Sequence, residues 1–156
     1  GGATRFGITE ATARAWGYTG DMRQLPFETA KEIYRSEYWD KLGLDDIEQV
    51  SDRVAFELFD TGVNTGVYWA AWWLQRILNV FNKGGTIYPD IPTDAKIGRY
   101  TITAFRRFMD VRKDEGIDVL LKALNCMQGA YYVSLAEQRV KDETYVYGWI
   151  LNRVAL

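Results

Sequence analysis

The sequence predicts an all-α fold, and three observations predict it. Apolar residues recur at three- and four-residue intervals through most of the chain. Glycine and proline stand where helices should start or stop, at Gly17, Pro26, Gly43 and Gly66. The run from Val67 to Phe81 is apolar on nearly every side, the pattern of a helix buried at the centre of a domain.

Taken in order, the chain opens Gly1-Gly2-Ala3-Thr4-Arg5-Phe6-Gly7-Ile8, with neither an initiator methionine nor a signal-peptide pattern. Three glycines in seven residues predict a tight turn or one small hairpin. Thr9 is the expected N-cap of a short helix through Trp16, closed by Gly17. Pro26 suits a first helical position, with Glu28 in the first turn and Ala30, Ile33, Tyr34 and Tyr38 at helical spacing up to Gly43. Asp45 and Asp46, or Ser51 and Asp52, start the next helix, whose apolar face is Val54, Ala55, Leu58 and Phe59. The stretch from Gly62 to Gly66, with Asn64 between, marks a corner before the central helix, where only Gln75, Arg76 and Asn79 are plainly polar. Residues 82–93, with Gly84, Gly85, Pro89 and Pro92, read as a linker, either a short strand or an irregular loop. Three more helices are expected, over 99–113, 117–139 and 143–154. The second carries an apolar stripe of Ile117, Leu120, Leu121, Leu124, Met127, Tyr131 and Leu135, and Asp142 caps the third.

At 156 residues the chain is long enough for a real core. Its 47% hydrophobic and 26% charged residues are ordinary globular values, so a disordered or low-complexity chain is excluded. No apolar run approaches the length of a membrane span. There is no histidine, and Cys126 is the one cysteine, expected as a small core residue. Zinc sites built on His/Cys clusters, Ser-His-Asp and Cys-His nucleophiles and internal disulfides are therefore excluded, and no cofactor is implied. Acid–base chemistry must fall to Asp, Glu, Lys or Tyr. A net charge of −2 provides no basic field to recruit nucleic acid. The cluster Arg106, Arg107, Arg112 and Lys113 is interleaved with Asp110, Asp114 and Glu115 and reads as a solvated mixed face.

Several segments together resemble the glycoside hydrolase family 108 muramidases. Gly1-Gly2-Ala3-Thr4-Arg5-Phe6-Gly7-Ile8-Thr9 is similar to their Gly-Gly-x-Thr-x-x-Gly-Ile-Thr stretch, and Tyr34-Arg35-Ser36-Glu37-Tyr38-Trp39 to their Tyr-x-x-x-Tyr-Trp segment. Phe59-Asp60-Thr61-Gly62-Val63-Asn64-Thr65-Gly66 resembles their Phe-Asp-x-x-Val-Asn-x-Gly corner, with the Leu74-Gln75 pair after it. The second half resembles the peptidoglycan-binding domain that usually follows. Asp94 to Thr101 matches its Asp-Gly-x-x-Gly-x-x-Thr element with Ala95 where Gly is usual, and Tyr147 to Arg153 resembles its closing Gly-Trp-x-x-Arg stretch with one extra residue.

The resemblance implies a lysozyme-like helical fold, with a catalytic region over 1–81 and a helical peptidoglycan-binding region over 82–156 packed onto it. It implies a hydrolase of the bacterial cell wall, acting in the periplasm or on a host envelope, with peptidoglycan glycan strands as partner. The expected reaction is cleavage of the MurNAc–GlcNAc bond by carboxylate general-acid catalysis. Alternatives are a lytic transglycosylase and a non-catalytic wall-binding module. The family's catalytic Glu, in a Glu-Gly-Gly segment, and its Asp-Pro fall before Gly1. The expectation is therefore that the principal Glu and Asp lie upstream and that these 156 residues alone are inactive or nearly so.

Thr4 then corresponds to the family's catalytic threonine, orienting the attacking water or the second carboxylate. Read from the residues alone, its hydroxyl equally closes a Gly-rich turn on its own backbone. Phe6 and Tyr38 are expected substrate contacts, Tyr38 because it sits near a helix end with a polar handle. Asp60 and Asn64, one helical turn apart, either line the cleft or brace the corner. Asp60 or Glu37 as a substitute acid would need a buried carboxylate, and Glu37 reads as a helix-face charge. Trp39, Trp69, Trp72 and Trp73 are candidate sugar platforms, although Trp69 and Trp73 at i, i+4 on an apolar helix have a core pattern. For Tyr131, Tyr132 and Trp149, helix packing is the more economical account than contact with the wall.

Overall fold

In the computed structural model, which describes residues 2–155, the glycine-rich opening folds into the expected hairpin. Gly1, the first residue of that motif, and Leu156 lie outside the described residues. Strand β1 (Thr4–Arg5) pairs antiparallel with β2 (Ile8–Thr9), Thr4 opposite Thr9 and Arg5 opposite Ile8. Phe6 and Gly7 form the two-residue turn at φ 52° and 77°. Positive φ at both positions gives the turn a twist that matches the paired strands. The remaining regular structure is helical: α1 (Glu10–Trp16), α2 (Phe27–Tyr34), α3 (Leu44–Val50), α4 (Asp52–Thr65), α5 (Val67–Val80), α6 (Arg99–Gln138) and α7 (Val146–Arg153). The fold is all-α, lysozyme-like, with a small N-terminal hairpin.

The chain divides into two compact units, residues 1–41 and 42–156. In the first, Thr9 caps α1 by accepting the Thr12 N–H at 3.2 Å, and Gly17 ends the helix at φ 113°. Ile8, Ala13, Met22, Leu25, Ala30 and Ile33 form its core, with Tyr18 and Tyr34 packed against it. Arg14 fixes the loop after α1, donating to the carbonyls of Tyr18 at 2.8 Å and Gly20 at 2.7 Å while pairing with Glu10 at 3.0 Å. Beyond α2 the helix widens into a π-helical turn, Arg35–Trp39, in which the Asp40 N–H reaches the Arg35 carbonyl at 2.8 Å.

In the second unit both helix-start signals are used. Gly43, expected to end the preceding helical segment, stands at φ 59° as the entry to α3, and Ser51 caps α4 by accepting the Val54 N–H at 3.2 Å. Gly66, at φ 104° and ψ 146°, turns the chain from α4 into α5 in a conformation that side chains with a Cβ rarely adopt. Helix α5 buries Ala70, Ala71, Trp73, Leu74, Ile77 and Leu78 and packs against α4 and α6. The two helices expected around residue 115 are the two parts of α6, broken at Lys113 (φ 55°, ψ −148°).

Two expectations are corrected. Asp142 does not cap the last helix: it is buried in a 3-10 turn, Val140–Thr144, where Arg139 holds its carboxylate at 2.6 Å, and α7 starts at Val146. Cys126 is exposed, because Leu124, Asn125 and Gln128 turn inward on that part of α6.

Residues 82–98 contain no regular helix or strand, yet they are firmly held. Gln75 and Asn79 of α5 and Asn82 just past its end hold them. Gln75 is fully buried, and its amide nitrogen lies within hydrogen-bonding distance of Asp94 Oδ1 (3.1 Å), the Lys96 carbonyl (3.0 Å) and Thr101 Oγ1 (3.2 Å). Its carbonyl oxygen accepts the Ala95 N–H at 2.8 Å. One turn on, Asn79 exchanges two hydrogen bonds with the Ile91 backbone, at 2.9 and 2.8 Å, and Asn82 donates to Asp90 at 2.7 Å. Tyr88 donates to the Leu78 carbonyl at 2.6 Å, and burial pushes its hydroxyl pKa up to about 12. The Asp-x-x-x-Gly-x-x-Thr element thus forms the docking site of one amide. Ala95 sits at φ 62°, in the left-handed region that favours glycine.

Two substitutions test this in equilibrium urea unfolding. Gln75→Leu should lose about 1–3 kcal/mol, because it leaves the Ala95 N–H and the buried Thr101 hydroxyl without their partner. Ala95→Gly should gain about 0.5–1 kcal/mol by relieving the left-handed backbone. Unchanged midpoints in both would remove Gln75 from this role.

Candidate functional site

The sequence-predicted site residues fall into both units. In the first, the hairpin tip is tied to the π-helical turn through Tyr34. The Tyr34 hydroxyl donates to the Phe6 carbonyl at 2.8 Å, and its ring lies 5.7 Å from that of Tyr38. A Cβ on Gly7 would run into the Tyr34 hydroxyl, so the Phe-Gly turn closes here only with glycine. Burial raises the Tyr34 pKa, with a smaller contribution from Tyr38. Phe6 remains exposed, its ring edge-on to Phe27 at 5.4 Å and beneath the Arg5 guanidinium at 4.6 Å. Arg5 in turn donates to the Leu25 carbonyl at 3.1 Å. Phe6 and Tyr38 are therefore joined through one tyrosine. Thr4 is exposed on β1, and among the described residues its hydroxyl has no hydrogen-bond partner. It does not close the turn.

The Tyr-x-x-x-Tyr-Trp segment coincides with the π-helical turn, which places Glu37, Tyr38 and Trp39 half-buried. Glu37 borders a cleft of about 360 Å³ with Thr12, Trp16 and Ile33, and its carboxylate pairs with Lys41 at 2.6 Å.

Asp60 and Asn64 lie in the second unit, on α4, Asp60 exposed and Asn64 half-buried. The corner beside them is braced by Thr65, whose hydroxyl donates to the Thr61 carbonyl at 2.8 Å. Asp60 stands close enough to Glu57 to act on its charge. Glu57, one turn back along α4, is a carboxyl that the sequence reading did not single out. Its pKa is raised, first by burial and then by Asp60, with Asn125 opposing. Its Oε1 is buried without a hydrogen-bond partner among the described residues. It borders a cavity of about 380 Å³ whose rim carries the Arg53–Asp118 ion pair at 2.9 Å. Helical spacing marks position 57 as a flank of the apolar stripe, but the depth of that flank depends on where α6 lies.

The tryptophans divide. Trp73 is buried, as its pattern predicts, whereas Trp69 and Trp72 are half-exposed and stand beside Tyr68 and Tyr131. Tyr132 is buried and donates to Gln128 at 2.7 Å, with the Trp149 ring tilted against it at 5.5 Å. Among the described residues no helix is long and apolar enough to cross a membrane, and no group of three or more Cys, Asp or Glu side chains could hold a metal ion.

Residues 1–66 match the family described as glycosyl hydrolase 108, and residues 69–154 match the family described as predicted peptidoglycan domain. Among solved structures, the chain is similar in fold to Brucella abortus SagA, with a TM-score of 0.60 at 24% identity, covering 100% of this chain and 83% of that one. No curated protein matches.

Glu57 sets a pH dependence. Its folded-state pKa lies above its ordinary value of 4.5, so the folded chain holds the proton more tightly than the unfolded chain does. Its contribution to stability is then complete below that value and is lost as pH rises through the raised pKa. Glu57→Gln should remove this part of the decline and unfold at higher urea than the native chain at pH 7. A native-like decline in the variant would exclude Glu57 as its source.

Proposed function

The chain belongs to the glycosyl hydrolase 108 family, with a predicted peptidoglycan domain behind the hydrolase segment, and from that premise we propose that it is an N-acetylmuramidase cutting the MurNAc–GlcNAc bond of the glycan strand. The observation that carries this reading is the pairing itself: a glycoside hydrolase segment and a peptidoglycan segment occupy one chain almost end to end. A peptidoglycan-acting hydrolase follows from that pairing. The bond cut and the residues that cut it are the proposal.

The reaction needs a proton on the leaving glycosidic oxygen and a nucleophile at the anomeric carbon, around an oxocarbenium-like transition state. In this reading the proton comes from a carboxylic acid held above its ordinary pKa. The resemblance assigns that acid to a Glu upstream of Gly1. Thr4 orients the attacking water or the second carboxylate, and its exposure on β1 suits that role. Phe6 and Tyr38 offer apolar faces to a sugar ring, and Asp60 and Asn64 offer hydrogen bonds to hydroxyls or N-acetyl groups. The site of action is the bacterial cell wall, in the periplasm or on a host envelope.

The test is muropeptide release from purified peptidoglycan with mass analysis. The 156-residue chain is compared with a form extended by the preceding natural residues. The extended form should release muropeptides with reducing ends, and the 156-residue chain little or nothing. Anhydro ends would instead assign a lytic transglycosylase. Sedimentation with the wall and no release from either form would assign a binding module.

In the extended form, Thr4→Ala should lower kcat about a hundredfold at nearly constant KM, as expected for a misplaced reacting group, and Thr4→Ser should restore most of it. A rise in KM alone would make Thr4 a binding residue.

A further inference from the structure

Between α5 and the second half of α6 runs an open groove of about 570 Å³. Trp73 forms its floor, and Trp69 and Tyr131 line it side by side, in contact with each other at a ring-centroid distance of 5.1 Å and a tilt of 44°. Arg76, Ser134 and Gln138 stand exposed on its rim. The groove exists because α6 buries Ile117, Leu120 and Leu124 but leaves the later part of that apolar stripe uncovered. Met127, Tyr131 and Leu135 are only half-buried and border the groove, while Asn125, Gln128 and Tyr132 face the core. The buried amides are occupied by the chain's end: Gln128 donates to the Arg153 carbonyl at 3.3 Å, and Asn125 accepts the Ala155 N–H at 3.0 Å. Two polar residues thus hold core positions while an aromatic surface stays open to solvent.

The chemistry of the groove selects its occupant. A pyranose ring has an apolar C–H face that packs on aromatic rings, and hydroxyls at its edge that reach polar groups on a rim. Arg76 adds a positive charge. Its guanidinium lies 4.4 Å from the Trp72 ring, among the described residues it has no ion pair, and no carboxylate borders the groove. A neutral glycan satisfies the rings and leaves the charge unused. A glycan strand carrying peptide stems with free carboxylates satisfies both.

We infer that this groove holds a muropeptide, with one pyranose ring against Trp69 and Tyr131 and a stem carboxylate on Arg76. The inference rests on the peptidoglycan reading above and gives it a specific contact surface.

The test is tryptophan-fluorescence titration of the whole chain with a GlcNAc–MurNAc tetrapeptide and with chitotetraose, beside co-sedimentation with purified sacculi. Arg76→Glu, at an exposed position, should weaken muropeptide binding about tenfold or more and leave chitotetraose binding unchanged. Trp69→Ala should weaken both. Ala130→Trp, which fills the groove from an exposed helical position, should block both even where Trp69→Ala disturbs folding. Native binding to sacculi and muropeptide by all three variants would overturn the groove assignment and leave the peptidoglycan reading standing. Failure of the unaltered chain to bind either would overturn both. A change in self-association in sedimentation velocity without a change in ligand binding would make a second copy of the chain the occupant, which also overturns the inference.

Discussion

A single buried amide organises the larger unit. Gln75 sits in the middle of the most apolar helix, where an unpaired polar group would be costly, and every one of its partners comes from residues 94–101. That constraint ends the long irregular segment at a fixed place and starts α6 in a fixed direction. The groove, the Glu57 cavity and the seat of the C-terminus all border α6, so each depends on that start. Asn79 on α5 and Asn82 just past its end repeat the device. An apparent linker is thereby made part of the packed structure without a strand or a helix of its own.

The smaller unit uses a different device. Its core is six buried side chains, so precision at the hairpin comes from specific contacts. Gly7 allows Tyr34 to close on the turn, and Tyr34 connects Phe6 to the π-helical turn that carries Tyr38. A π-helical turn inserts one extra residue and re-aims the side chains beyond it. Phe6 and Tyr38 are therefore placed by backbone irregularities, the hairpin turn and the π-helical turn.

Much was legible from the residues. Thr9 and Gly17 bound α1, Ser51 caps α4, Gly66 turns the corner and α5 is buried, because caps and periodicity act within a few residues. The candidate site residues were read from the motifs of the resemblance. Other features depended on what packs where. Asp142 is an acceptable cap in isolation, but Arg139 three residues earlier takes its carboxylate. Cys126 and the stripe at 127, 131 and 135 are misplaced by periodicity alone, since α6 rotates Asn125 and Gln128 inward to meet the chain's end.

The sequence by itself determined the all-α class, the hairpin, most helix ends and the family, since each of these rests on local spacing or on ordered motifs. Tertiary structure decided which face of α6 is buried, that Glu57 is the desolvated carboxyl, that residues 82–98 are pinned, and that Trp69 borders a groove. The physical reason is that burial is a property of pairs of elements. Periodicity shows that a helix has an apolar face, and only the neighbour that covers it, or leaves it open, turns that face into core or into a binding surface.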